Sequence, residues 1–245
     1  MKIIAVIPAR LEASRFPGKL MQLLGDKTVI AHTYQNIVSA KLFSEVIVAT
    51  DNDSIQNEIE AIGGEVFKSI KNHECGSDRI AEAILYSSAD LVINIQGDEP
   101  FINQSSLSAL LNAFDSDSDK QIDLASLMIP LTDKEEIENP NNVKVIVDQD
   151  NFALYFSRSP IPYYRSTDIS KIYYKHIGVY AFRRQALIDF SNSQMTPLER
   201  VEKIECIRYL EQGKKIKMVL SNQDNIGIDT PEDLVKAQQF LNNKY

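Results

Sequence analysis

Phosphate and metal chemistry concentrates in a few short segments of this chain. The first, Pro8-Ala9-Arg10-Leu11-Glu12-Ala13-Ser14-Arg15-Phe16-Pro17-Gly18-Lys19, sets three cations among small residues directly after an apolar run. Arg10, Arg15 and Lys19 can neutralise a triphosphate, while Ser14 and Gly18 let backbone N–H groups approach it. The segment contains neither G-x-x-x-x-G-K-[ST] nor G-x-G-x-x-G, so it is neither a Walker loop nor a dinucleotide fingerprint. The second, Gln96-Gly97-Asp98-Glu99-Pro100, places two carboxylates after another apolar run. A carboxylate next to phosphates needs a bridging cation. Mg²⁺ suits that role, because it takes one or two carboxylates and fills its shell with phosphate oxygens and water. The third, Gly227-Ile228-Asp229-Thr230-Pro231-Glu232-Asp233, supplies Asp229, which becomes a metal ligand only if it converges with Asp98. The fourth, His73-Glu74-Cys75-Gly76-Ser77-Asp78-Arg79, is a glycine-containing loop entering a helix, with Ser77 as N-cap and Arg79 in the first turn. Backbone groups at such a junction can read a base edge.

Each segment has a plainer alternative. The first is equally a solvated basic loop, and the other three are equally helix caps or surface turns. A scattered set completes the inventory: Tyr155-Phe156-Ser157-Arg158, Lys175-His176-Ile177-Gly178-Val179-Tyr180, and Glu199 to Arg208. These suit an acidic, hydroxyl-rich molecule whose carboxylate an arginine fork can take. They equally suit a core histidine and surface ion pairs.

Positioning these residues requires alternating strands and helices. Ile3 to Ile7, Val46 to Ala49 and Leu91 to Ile95 read as buried strands, apolar on both faces. Val29 to Ala40 and Ile55 to Ile62 carry apolar residues at helical spacing, with N-cap candidates in Asp51-Asn52-Asp53-Ser54. Gly63-Gly64 ends the second helix, and Glu65 to Phe67 begins a further strand. That alternation predicts an α/β fold: a mostly parallel mixed sheet with helices on both faces, and ligands bound beyond the carboxyl ends of the strands. Arg10, Thr50-Asp51 and Gln96-Gly97-Asp98-Glu99 all follow such ends.

Between about 122 and 182 the pattern changes. Ile122 to Leu131, Val143 to Val147, Phe152 to Ser157 and Ile172 to Phe182 read as strands, with a hairpin turn at Asp148-Gln149-Asp150-Asn151. The expectation is a smaller, partly antiparallel sub-region embedded in a single domain, 1–245. One helix is expected over Leu198 to Gln212, then a strand from Lys215 to Leu220. Thr230 as N-cap with Pro231 at the first position marks a last helix. Asp115 to Asp119 reads as a solvated loop.

Composition bounds the function classes. The 245 residues are 44% hydrophobic and carry a net charge of −8, which argues against a general nucleic-acid binder. No apolar stretch approaches the roughly 20 residues of a membrane span. Two distant cysteines without a histidine pair make a disulfide framework or zinc site improbable. The expectation is a soluble cytoplasmic protein with no nucleic-acid or membrane partner.

In chain order these segments resemble the 3-deoxy-manno-octulosonate cytidylyltransferases, also called CMP-Kdo synthetases. The resemblance runs from Ile7 to Leu234 and includes Ala49-Thr50-Asp51, Asn94 to Pro100, Asn139-Pro140-Asn141-Asn142-Val143-Lys144-Val145 and Ala153 to Arg158. It implies a nucleotide-diphospho-sugar transferase type of fold, usually a homodimer. It also implies transfer of CMP from CTP to the anomeric hydroxyl of 3-deoxy-manno-octulosonate (Kdo) with Mg²⁺, for lipopolysaccharide biosynthesis. Position by position, it implies catalytic roles for Arg10, Lys19 and Asp98, and metal ligation by Asp98 and Asp229. Pro8, Ala9, Arg10, Arg15, Lys19, Gly76, Arg79 and Asp98 fall to the nucleotide. Gln96, Arg158, His176, Tyr180 and Glu205 fall to the sugar acid. Three positions depart from the family pattern: Leu20 where proline is usual, Ser14 where threonine is usual, and Cys206 where glutamine is usual.

Overall fold

The computed structural model describes residues 1–243 apart from 13–15, 72, 74–75, 167, 169 and 222–225. Ser14, Arg15 and Cys75 lie outside the described residues. The chain groups into two compact units, one of residues 1–107 with 225–245 and one of residues 108–224.

The first unit holds, in order, β1 (Ile3–Ala9), a 3₁₀ turn (Lys19–Met21), a small hairpin of β2 (Leu23–Leu24) and β3 (Lys27–Thr28), and α1 (Val29–Ser39). There follow β4 (Glu45–Thr50), α2 (Asp53–Ala61), β5 (Glu65–Lys68), α3 (Gly76–Ala83), β6 (Leu91–Ile95) and the start of α4 (Gln104–Asp115). β1 is interior to the sheet, pairing in parallel with β4 and with β6, and is apolar along both faces because both faces are buried. β5 adds in parallel beyond β4. Ala9 is opposite Thr50 in the register. Arg10 and Asp51 therefore emerge at the same sheet edge, which the loop after β6 also reaches. Asn52 caps α2, its Oδ1 accepting from Ser54 N at 2.9 Å and Ile55 N at 3.2 Å.

The second unit holds β7 (Leu124–Leu131), α5 (Lys134–Glu138), β8 (Lys144–Val147), β9 (Ala153–Ser157), β10 (Tyr173–Arg183), α6 (Arg184–Ser191), α7 (Pro197–Glu202), α8 (Cys206–Glu211) and β11 (Ile216–Leu220). β11 runs parallel to β7 and β10 antiparallel to it, with a register shift between Ile177 and Tyr180. β8 pairs antiparallel with both β9 and β10. The chain then returns to the first unit as α9 (Pro231–Asn243). A mixed, mostly parallel α/β fold with a partly antiparallel region is the fold the alternation predicted.

Three local expectations are corrected. The helix over 198–212 is two helices, broken where Lys203 turns to φ 57°. The Arg158 guanidinium donates to Glu202 O at 2.7 Å and Lys203 O at 3.3 Å, engaging carbonyls that a continuing helix would use. Ser77 is inside α3, which starts at Gly76, and so is not its N-cap. Asp117 is no solvated residue: its carboxylate accepts from Gln121 N, Ile122 N and the Arg183 guanidinium.

Candidate active site

Local structure in the first unit brings three distant segments to one place. After β1, Gly18 takes φ +69°, a left-handed turn that glycine adopts without strain. Its N–H donates to Leu11 O at 2.9 Å, and Lys19 opens the 3₁₀ turn behind it. Gly97 follows β6 where space is scarce, since a Cβ there would lie 3.0 Å from Ile30 and 3.2 Å from Leu20. Thr33 Oγ1 holds the Gly97 carbonyl at 2.8 Å, which fixes the next residue, Asp98. A Cβ on Gly227 would lie 2.9 Å from Glu99 Oε1, so the segment passes close against the Glu99 carboxylate. Ile228 N then donates to Asp98 O at 2.9 Å, bringing Asp229 alongside. Thr230 and Asp233 cap α9 reciprocally: Thr230 N donates to Asp233 Oδ2 at 3.0 Å and Asp233 N to Thr230 Oγ1 at 3.2 Å.

The outcome is one cation between two carboxylates. The Lys19 ammonium donates to Asp98 Oδ2 and, at 2.9 Å, to Asp229 Oδ1. Burial pulls the Lys19 pKa down, but Asp98 and then Asp229 outweigh it, so the group stays charged above the ordinary lysine range. Asp98 and Asp229 keep 21% and 48% of their side-chain surface, so both remain open to a ligand. Among the described residues no group of three His, Cys, Asp or Glu side chains could hold a metal ion. Two convergent carboxylates do fit Mg²⁺, which uses few protein ligands and completes its shell from phosphates and water.

Further polar groups lie at the carboxyl ends of β1, β4 and β6. A Cβ on Gly76 would lie 3.4 Å from Pro8 Cγ and 3.8 Å from Gln96 Nε2, so α3 starts against the end of β1 and the residue after β6. Arg79, 2% exposed on α3, donates from Nη2 to Asp51 Oδ2 at 2.8 Å. Among the described residues its Nε and Nη1 are buried with no partner, as are Arg10 Nη2 and Asn94 Nδ2. Asn94 Oδ1 accepts from Gln96 Nε2 at 3.1 Å. A buried donor left unmet costs about 1–3 kcal/mol, so a group of them marks where ligand acceptors belong. His73 Nε2 lies 2.7 Å from Glu82 Oε2 and 3.1 Å from Ser69 Oγ, anchoring the approach to α3. The sequence places Thr50-Asp51 and Asn94 at the binding edge without giving Asp51 or Asn94 a site role, and Glu82 carries no sequence signal at all.

The remaining anticipated residues lie in the second unit. Arg158 follows β9, and its guanidinium donates to Glu202 O, Lys203 O and, at 2.9 Å, Pro140 O. Lys144 is buried below it, donating to Asn139 O at 3.0 Å and Asn142 O at 2.6 Å. Burial, then Arg158, lower the Lys144 pKa. His176 on β10 is buried against Phe156 and Tyr180, and burial pushes its pKa down to about 4. Its Nε2 lies 3.0 Å from Ser126 Oγ, which also donates to Val179 O at 2.9 Å. Tyr180 hydrogen-bonds the buried Cys206 thiol, whose pKa burial raises. Glu205 precedes α8. Glu199 and Arg208 form a buried bidentate pair at 2.7 and 2.6 Å, with the guanidinium 4.1 Å from the Phe190 ring.

Comparison with known proteins follows the same lines. The profile of a family described as cytidylyltransferase matches residues 4–216. A 3-deoxy-manno-octulosonate cytidylyltransferase of Christiangramia forsetii is 59% identical over 240 residues, covering 98% of this chain and 97% of that one. The enzyme of the same name from Flavobacterium johnsoniae is 58% identical over 241 residues, covering 98% and 99%. A solved structure of a CMP:2-keto-3-deoxy-manno-octonic acid synthetase complexed with CTP superposes with a TM-score of 0.93 at 34% identity, over the whole of both chains. A 4-diphosphocytidyl-2C-methyl-D-erythritol synthase from Anaerococcus prevotii, at 20% identity and a TM-score of 0.67, shares the fold.

Proposed function

The chain belongs to the 3-deoxy-manno-octulosonate cytidylyltransferases, within the wider cytidylyltransferase family, and from that premise we propose that it transfers CMP from CTP to the anomeric hydroxyl of Kdo. Pyrophosphate leaves, and CMP-Kdo enters lipopolysaccharide biosynthesis. The observation that carries this reading is the convergence of Asp98 and Asp229 on the Lys19 ammonium at the carboxyl edge of the sheet.

The reaction is an in-line attack of the sugar hydroxyl on the α-phosphorus, in which catalysis comes from positioning and charge neutralisation. The cluster consists of cations and carboxylates, which suits direct transfer without a covalent enzyme intermediate. Lys19 and Arg10 hold phosphate oxygens and balance the charge that builds on the departing pyrophosphate, assisted by Arg15. Pro8, Ala9 and Gly76 shape the nucleotide cleft, and Arg79 donates to the base. Asp98 and Asp229 would hold Mg²⁺. When bound there it supplies Lewis-acid polarisation of the phosphoryl oxygens.

The sugar acid falls to Gln96, Arg158, His176, Tyr180 and Glu205, on the strength of the family resemblance. His176 acts there as a neutral hydrogen-bonding group, because its depressed pKa keeps it uncharged near neutrality. The same resemblance supports a homodimer in the bacterial cytoplasm. Among the described residues no helix is long and apolar enough to cross a membrane.

Incubation of the purified chain with CTP, Mg²⁺ and Kdo tests the proposal. One pyrophosphate should appear per CMP-Kdo formed, and none when a sialic acid replaces Kdo. No pyrophosphate with Kdo, or faster release with the sialic acid, overturns it.

A further inference from the structure

Arg79 poses a physical problem that the reaction chemistry leaves open. Among the described residues, this guanidinium, only 2% exposed, has no partner at Nε and Nη1 and is tied at Nη2, to Asp51. A buried cation with unmet donors tends to swing toward water or toward any nearby acceptor. What holds this one is the Asp51 carboxylate, which reaches in from a half-exposed position. The backbone of Asp51 is fixed on both sides. Thr50, before it, closes the β1–β4 register, and Thr50 Oγ1 accepts from Asn52 N at 3.1 Å. Asn52, after it, caps α2. The Arg79 hydrogen bond keeps Asp51 below the usual carboxylate range, and Arg10 adds to that effect, so Asp51 is ionised at any working pH.

We infer that Asp51 is a positioning residue that sets the choice of pyrimidine base. By holding Nη2, it fixes the plane of the guanidinium and leaves Arg79 Nε and Nη1 as buried donors that no described residue meets. Cytosine offers acceptors at O2 and N3, either of which one guanidinium N–H can meet. Uracil carries a hydrogen on N3, so a donor would face a donor and remain unmet. Asp51 touches no substrate in this account; it acts through Arg79. The inference rests on the CTP reading given above.

Calorimetric titration of CTP and of UTP, each with Mg²⁺, onto the native protein, Asp51→Asn and Asp51→Glu tests it. The native protein should prefer CTP. Asp51→Asn keeps the size of the side chain but loses the charge, and should cut the CTP/UTP affinity ratio by about tenfold, mainly by weakening CTP. Asp51→Glu keeps the charge one methylene further out and should give an intermediate ratio. Equal weakening of both nucleotides, with the ratio unchanged, is what a purely structural role gives and overturns the inference. So does a native protein that binds the two alike. Should Asp51→Asn not fold, the Glu variant carries the test, and an unchanged ratio there overturns it. CTP binding with no CMP transfer to Kdo would sink the catalytic proposal and leave this one standing.

Discussion

In the first unit one ammonium serves two carboxylates at once, and Arg79 keeps buried donors that no described residue meets. In the second, Arg208 faces Glu199 through two short hydrogen bonds, stacks on Phe190 and donates to the Ser193 carbonyl. The residue types are the same and the treatment is opposite. A buried charge survives only when its desolvation is offset by a partner. The second unit supplies that partner internally, and the result is a fixed arrangement of α6, α7 and α8. The first unit supplies it incompletely and at the carboxyl edge of a parallel sheet, where an anionic nucleotide and its cation can complete it. On the proposed function, under-satisfied charge at that edge serves binding, and fully matched charge in the second unit serves architecture.

The largest expected contrast comes from Asp98→Asn. An amide is a much poorer Mg²⁺ ligand than a carboxylate, so turnover should fall by about a hundredfold or more. The melting temperature should change little, because a part-exposed carboxylate is lost without opening a cavity. A variant that retained near-native turnover at saturating Mg²⁺ would remove the first unit's half of the comparison.

Arg208→Ala should do the reverse. Leaving Glu199 as an uncompensated buried charge costs about 3–5 kcal/mol, read as a lower midpoint in chemical denaturation. The CTP affinity of the molecules that remain folded should be unchanged. A small stability loss with a large loss of nucleotide affinity would mean that the pair belongs to the binding chemistry.

Acidification sharpens the same point. Free histidine titrates near 6.5 and His176 near 4, so the unfolded chain takes up the proton first. The stability due to a neutral His176 is complete above about pH 6.5 and is lost as pH falls toward 4, by about 3 kcal/mol. His176→Gln should flatten that part of the stability-against-pH curve. An unaltered slope would show that the imidazole is not buried neutral.

The smallest effect is expected at Cys206. The thiol is 2% exposed beside Tyr180, so Cys206→Gln overfills the core and should cost about 1–3 kcal/mol. The KM for Kdo should stay as it was. A lower KM for Kdo would instead make position 206 part of the sugar pocket.

How much of this was legible in the sequence varies by element. β1, β4 and β6 were readable because strands buried on both faces are apolar without alternation, and the cap of α9 because Thr230, Pro231 and Asp233 occupy their characteristic offsets. α4 escaped notice although Leu107, Leu110, Leu111 and Phe114 carry the helical spacing and are buried. The break between α7 and α8 has no glycine or proline to announce it; it depends on Arg158, more than forty residues earlier in the chain. Asp98 and Asp229 could be named from the sequence, but their sharing of Lys19 is a tertiary fact. The burial of Glu199 with Arg208 was likewise invisible, since a bidentate pair nine residues apart looks the same in sequence as two surface charges.

A mutant cycle on Asp98 and Asp229 tests the central claim most directly. Rates of pyrophosphate release from CTP in the presence of Kdo and Mg²⁺ would be compared for Asp98→Asn, Asp229→Asn and the double variant. If the two carboxylates hold one metal for one step, each single change already removes that function, and the double variant should be no slower than the slower single. Losses that multiply, each carboxylate contributing its full factor independently, would contradict a shared metal site beside Lys19.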